Sequence, residues 1–366
     1  METNVNKDAG STCTLAVGTY TLPMPHVEGK GAGIYLLDFD ASTGRLSERA
    51  VERAANPSYL TLSKDGRRLY AVREVNAEDG PGVSTYEVDA AGRSLTLLGD
   101  LSTPGAWPCH VAVDEELALL LASNYLSGEV LAYRLDANGV PAGEPVVLER
   151  EGSGPNAARQ EAPHAHCAVF SPDRRHLYLA DLGVDGVVRH ALDASKVIKT
   201  PDRFLDAAPG AGPRHLVFTA SGKHLLANYE LASTVRMYRL ADHAAELVCE
   251  VSSLPEDFGG ESGAGGMRLH PSGKFVYVGN RGHDSIFCAR IDEAAGTLTP
   301  VGNWSLGGRT PRDLAISPDG KYLLAAAQDD GFIRVYAIDA QTGALNDTGY
   351  TYPIPTAVCL EFIQGE

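Results

Sequence analysis

Two charged side chains stand out in one stretch, GPRHLVFTASGKHLLANYELASTVRMYRL (212–240): Arg214 and Glu230. An arginine can hold a phosphate or carboxylate bidentately and polarise a carbonyl as it becomes an oxyanion. A carboxylate within reach can take a proton from water. Each also has a plainer reading, in which the arginine and the acid pair only to neutralise one another. Which reading applies depends on what else the fold brings to them.

The stretch is one copy of a unit that recurs along the chain. A β-patterned segment ending in Asp or Ala appears at 33–40, 82–89, 129–136, 186–193, 234–241, 285–292 and 332–339, at steps of 47 to 57 residues. A fixed period of this size marks a solenoid or a propeller. Ahead of each lies a turn and an apolar strand, as in SKDGRRLYAV, SPDRRHLYLA and SPDGKYLLAA, and ahead of that another short apolar strand. A Gly-containing turn then leads to a fourth strand, and no amphipathic helix of useful length appears. Four antiparallel strands per repeat predict an all-β, seven-bladed β-propeller. The segment TAVCLEF near the end matches a first strand, and CTLAVGTY near the start a second. The C-terminal strand is therefore expected to join three N-terminal strands and close the ring. Residues 13–366 read as this single domain, and 1–12 as a disordered leader.

In such a ring the start of each inner strand and the end of the next strand lie at one mouth of the channel. Aligned inner strands start at Ser58, Cys109, His166, Arg214, Gly265, Arg312 and Thr356. The second strands end at Arg73 and Glu74, Asn124 and Tyr125, Asp181, Asn228 and Glu230, Asn280 and Arg281, and Gln328. These positions vary in type and are mostly polar, as a ligand site requires. His110 and His215, one step along, are expected to face away by strand alternation. His164 and His166 form an HxH pair that lacks a third metal donor, and no Asp-rich calcium loop is present, so no metal or cofactor is expected. A serine nucleophile is excluded by the lack of GxSxG or a similar context.

Composition limits the partners. The net charge of −16 excludes a nucleic-acid footprint, but a few arginines in a cleft can still attract a small anion. No apolar run is long enough for a membrane helix, and no secretory signal pattern opens the chain. Six scattered cysteines read as reduced and buried, so the expected location is cytoplasmic. A monomer or weak homo-oligomer is expected.

The segments VGTYT, NPSYL, PCHV, PHAH with Gln160 upstream, GPRH, NYE, NRG and TPRDLAISPDGKYLLAAAQ resemble, in order over residues 14–362, the lactonase family of seven-bladed propellers. That family includes propeller-type 6-phosphogluconolactonases and carboxy-cis,cis-muconate cyclases. The resemblance implies catalytic roles for His166, Glu230, Arg214 and Arg281; Arg312, His164, Gln328 and Asn228 are added as substrate-binding candidates. It implies a carbohydrate-metabolic hydrolase of the pentose phosphate pathway acting on a small anionic lactone. Arg214 and Arg281 would bind phosphate or carboxylate, and Glu230 or His166 would be the general base. A lactonising cycloisomerase and a non-catalytic interaction module are the competing readings. The Gly-rich stretch at 259–266 departs from the family pattern and is expected to give a rim loop of different shape.

Overall fold

A computed structural model describes residues 12–363 apart from 90, 242 and 243. The leader proposed for 1–12 falls outside the described residues except for Thr12, which already belongs to a strand, Thr12–Thr19. Seven four-stranded antiparallel sheets account for the fold. Their inner strands, which number the blades one to seven, are Leu60–Leu62, Pro108–Asp114, Ala165–Phe170, Pro213–Phe218, Gly263–Leu269, Pro311–Ile316 and Ala357–Ile363. Each contacts the next, and the seventh contacts the first. The helical content among the described residues is one short 3-10 turn, Ala77–Asp79.

The recurring turn has a simple cause. In SKDG, SPDR and SPDG the Ser hydroxyl donates to the Asp two residues on, at 2.6, 2.6 and 2.7 Å. The same hydroxyl oxygen accepts the N–H that opens the second strand, from Arg68, His176 and Tyr322. Gly66 and Gly320 supply the left-handed residue at φ 68° and 73°; where SPDR has no glycine, Arg174 adopts φ 56°. The Ser oxygen takes the place of water as acceptor for that N–H, so the hairpin register is set locally.

The core lies between blades. Leu226, Val235 and Met237 of blade four pack on Ala264, Val276, Val278 and Phe287 of blade five, all nearly or fully buried. At about 25 cal/mol per Å² of apolar area, a fully buried Leu or Phe contributes about 2–3 kcal/mol. Ring closure follows the expected scheme: Ala357–Ile363 pairs with Thr12–Thr19, with Thr14 opposite Ile363 and Gly18 opposite Cys359.

Candidate active site

Bulges turn the chemistry inward. In blades two, three and four the pairing of inner and second strands skips one residue, between Pro108 and His110, Ala165 and Cys167, and Pro213 and His215. The skipped residues are Cys109, His166 and Arg214. In blades five and six the skipped pairs are Gly265–Gly266 and Arg312–Asp313. A bulge frees its residue from the ladder and re-aims the side chain. Cys109, His166, Arg214 and Arg312 accordingly line a small cavity on the ring axis. In blade seven the residue in this place is Val358, not Thr356; Thr356, left-handed at φ 47°, precedes the bulge and donates its hydroxyl to Tyr20 O at 2.6 Å.

Glu230 follows the second strand of blade four. Its N–H donates to Gly212 O at 2.7 Å, and its own carbonyl accepts from Ala264 N at 3.0 Å, so its backbone is clamped between two blades. Its side chain, 3% exposed, meets three guanidinium groups. Arg281 Nη2 lies 2.7 Å and Arg214 Nε 3.2 Å from Oε2, while Arg159 Nη2 lies 2.5 Å from Oε1. Burial works against the Glu230 carboxylate, but Arg281, Arg159 and Arg214 together hold it well below the usual carboxyl range. Glu230 is therefore a fixed anion. Arg214 is pushed down to about 10, by burial and then by Arg281, and is still a cation at neutral pH.

His166 Nε2 stands 3.8 Å from Glu230 Oε2. Burial and the Arg214 charge push the imidazole well below its ordinary value, so it is neutral at pH 7. His164 donates Nδ1–H to Tyr125 O at 2.8 Å and stacks on the Tyr125 ring at 4.6 Å. Trp107 lies parallel to Tyr125 beyond it. His215 does not face away as expected: it lines the axial cavity, and its Nε2 accepts from Arg214 Nη1 at 2.9 Å. His110 lines neither that cavity nor the pocket described below, and packs on Tyr59 and His215.

Across the mouth lies a second group. Arg312 Nη2 donates to Tyr20 Oη at 2.9 Å, and the Tyr20 hydroxyl donates to Glu74 Oε2 at 2.8 Å. Asn56 holds the two segments together: Oδ1 accepts from Thr21 N and Leu22 N, and Nδ2 donates to Glu74 O. Arg312 has no carboxylate within ion-pair distance among the described residues, unlike Arg159, Arg214 and Arg281.

These groups wall one pocket of about 500 Å³, a size suited to a small ligand. Of the eight predicted residues, His166, Glu230, Arg281, Arg312 and His164 line it, and Arg214 lies beneath, on Glu230. Asn228 does not reach it: Oδ1 accepts from His215 N and Nδ2 donates to Gly265 O, so the amide is spent joining blades. Gln328 is not on the wall either; its Nε2 donates to Asp329. The Gly-rich stretch has a packing cause in part. A Cβ on Gly265 would sit 2.4 Å from Pro311 O, and one on Gly266 2.4 Å from Asp313 Oδ1.

Nothing in the repeat singles out Arg159, Trp107, His26 or Tyr20, and Glu74 and Tyr125 stand among the aligned strand ends with no further mark. Arg159 sits in the connection between blades two and three. That loop is fixed by Gln160, fully buried, whose Nε2 donates to Leu182 O at 2.8 Å and Asp185 Oδ1 at 2.7 Å. The signal in the sequence is only the neighbouring Gln160, upstream of PHAH.

Comparison with known proteins agrees with this architecture. The family model "Lactonase, 7-bladed beta-propeller" matches residues 14–362. The chain is 32% identical over 350 residues to the 6-phosphogluconolactonase of Bacillus subtilis (strain 168), covering 95% of this chain and 97% of that one. Among solved structures, a putative 6-phosphogluconolactonase from Bacteroides fragilis superposes with a TM-score of 0.89 at 33% identity, covering 97% and 98% of the two chains. The periplasmic gluconolactonase of Pseudomonas aeruginosa gives 0.89 at 29% identity, covering 97% and 100%. The chain belongs to the lactonase family of seven-bladed β-propellers.

Proposed function

We propose that this protein hydrolyses a sugar lactone bearing an anionic substituent, with 6-phosphogluconolactone as the substrate that fits best. The observation that carries this reading is the division among the four arginines. Three are paired with one buried carboxylate, while Arg312 faces the pocket without a carboxylate of its own. In this reading Arg312 takes the phosphate. Arg281 and Arg159, held in place by Glu230, polarise the lactone carbonyl and receive the developing oxyanion, in the role a metal would otherwise fill. Trp107, on the pocket wall, offers an aromatic surface that suits the C–H face of a sugar ring.

Of the two candidate bases, Glu230 is too firmly ionised to accept a proton usefully near neutral pH. His166 is neutral, and Glu230 at 3.8 Å would balance the imidazolium formed when it deprotonates the attacking water. A phosphorylated lactone is an intracellular metabolite, so cytoplasmic placement and a step leading to 6-phosphogluconate belong to the same proposal. In the structure, no described helix is long and apolar enough to cross a membrane.

The test is acid release from 6-phosphogluconolactone, followed with a pH indicator against the spontaneous rate, with and without chelator. Acceleration insensitive to chelator is expected. No acceleration, together with loss of absorbance from a carboxymuconate in a parallel assay, would replace hydrolysis by cycloisomerisation.

A further inference from the structure

Hydrolysis of an unactivated lactone needs two proton transfers. Water must lose a proton as it attacks, and the ring oxygen must gain one as it leaves. His166 answers only the first, because its Nε2 lies on the Glu230 side of the pocket. The opposite side holds a second buried carboxyl, Glu74, 3% exposed, on the wall of the same pocket. Its two oxygens are not equivalent. Oε2 accepts from the Tyr20 hydroxyl at 2.8 Å and from the Ser58 hydroxyl, while Oε1 takes no hydrogen bond from a described residue. Two hydroxyls thus fix the carboxyl plane and leave one oxygen open to the pocket.

We propose that Glu74 is the general acid, giving its Oε1 proton to the departing ring oxygen. This rests on the lactonase reading above. In the first step His166 takes a proton from water, the water oxygen bonds to the lactone carbon, and the carbonyl pair becomes an oxyanion facing Arg281 and Arg159. In the second the carbonyl re-forms, the bond to the ring oxygen breaks, and that oxygen takes the Glu74 proton. The product is the hydroxy acid. His166 is left protonated and Glu74 ionised, and a proton passed from one to the other resets the site. Both line the small axial cavity of about 10 Å³, which has room for about one water to carry that proton.

Three observations support the assignment. The groups facing Glu74 are Tyr20, His26, Cys109, His166, Arg214 and Arg312. Burial raises its carboxyl above the ordinary value even though Arg312, Ser58, Tyr20 and Arg214 pull the other way. Glu74 and Glu230, the two buried acids of the pocket, are therefore displaced in opposite directions, as an acid and a spectator anion must be. Glu74 is also tied through Tyr20 to Arg312. In a 6-phosphorylated δ-lactone, the carbon that bears the phosphate-carrying arm also bears the leaving oxygen, so a phosphate at Arg312 brings that oxygen towards Glu74. The dianion itself would raise Glu74 further.

The experiment compares wild type, Glu74→Gln and Tyr20→Phe on two substrates across pH. One is 6-phosphogluconolactone, whose leaving group is an alkoxide. The other is dihydrocoumarin, whose phenoxide leaves without acid help. Glu74→Gln keeps an acceptor oxygen for Tyr20 and Ser58. It is expected to lower kcat on the sugar lactone roughly 10²–10⁴-fold, with far less loss on dihydrocoumarin, and to remove the limb where rate falls with rising pH. Tyr20→Phe deletes a donor to the carboxylate, so that limb should move to higher pH. Equal losses of Glu74→Gln on both substrates with the limb retained would overturn the proposal and make Glu74 a positioning residue for Arg312. A wild type that accelerates neither substrate would remove the lactonase reading, and this inference with it.

Discussion

Arg159 Nη2 lies 2.5 Å from Glu230 Oε1 although 71 residues separate them in sequence, and among the described residues no other side chain engages that oxygen. Oε2 is shared by Arg214 and Arg281 from Glu230's own blade and the next. One carboxylate thus spaces three cations that would otherwise repel one another. Two of them, Arg159 and Arg281, reach the pocket.

Replacing Arg159 by Ala should therefore act on catalysis more than on stability. Its side chain is 42% exposed, and Glu230 keeps Arg214 and Arg281 when it is lost, so the change should cost about 1 kcal/mol. The loop retains its Gln160 anchor. We expect kcat/KM on 6-phosphogluconolactone to fall about 10²-fold, the usual scale for one oxyanion donor, with the melting temperature nearly unchanged. Kinetics alongside a thermal melt check this; a large drop in melting temperature would count against a catalytic role.

Glu230→Gln should do the reverse of a simple base deletion. It leaves Arg214, 4% exposed, with a buried charge and a like charge at Arg281. Breaking a buried pair costs about 3–5 kcal/mol, discounted here because Arg159 and Arg281 can turn to solvent, so about 2–3 kcal/mol is expected in urea unfolding. Inorganic phosphate should restore part of it by occupying the freed arginines, since a ligand that binds only the folded state stabilises it.

The pH dependence of that difference has a fixed sign. Glu230 is depressed in the fold below its unfolded value of 4.5, so its contribution is complete above pH 4.5 and is lost as pH falls through the folded pKa. Wild type and Glu230→Gln should differ by a constant amount from neutrality to about pH 4.5, and converge below it. His110, held neutral by burial down to about 3, weakens both proteins equally below 6.5 and cancels in the difference. Urea midpoints between pH 3 and 7 supply the measurement. A gap that instead grows on acidification would contradict the ionised assignment.

The repeat made the fold legible because each turn is satisfied within its own hairpin, by a Ser, an Asp and a left-handed residue that recur in sequence. It also made legible those candidate residues that occupy equivalent places in successive blades: His166, Arg214 and Arg312 at the bulge, Arg281 at the end of its second strand and Glu230 just after its own. The recurrence of Asn124, Asn228 and Asn280 carried the opposite message. Each amide bonds the backbone next to it, to Pro104 O, Gly265 O and Ser253 O, and so is structural. A position filled repeatedly by one residue type holds the ring; at the bulge, where the type changes from blade to blade, Cys109, His166 and Arg312 line the pocket. Arg159 and His26 escaped because connections between strands carry no period. The bulges escaped too, because a one-residue slip leaves no mark on an apolar pattern this short, and Thr356 was aligned where Val358 stands.

Arg312→Ala should discriminate between substrates. With its one side-chain bond among the described residues going to Tyr20, the guanidinium has donors left for an anion. Loss of a charge-assisted contact is worth about 1.5–3 kcal/mol, or roughly 10- to 150-fold. That loss is expected in KM for 6-phosphogluconolactone, while the unphosphorylated lactone should change little. Equal effects on both substrates would move the phosphate elsewhere in the pocket.

Ring closure makes the last strand a condition for the site, not only for stability. Ala357–Ile363 pairs with Thr12–Thr19, and the residue after that strand, Tyr20, holds Arg312 and Glu74 in place. Leu360 is fully buried in the cluster shared by blades six and seven. Leu360→Ala should cost about 2–4 kcal/mol by leaving a cavity, and the ring should remain closed and active at low temperature. Deleting residues 357–366 removes a whole inner strand and exposes the edges of blades six, seven and one. Since a domain has only about 5–15 kcal/mol to lose, the truncated chain should show no cooperative melt and no activity. A truncated protein that still melts cooperatively, but has lost the Arg312-dependent preference for the phosphorylated lactone, would show that closure serves the site alone.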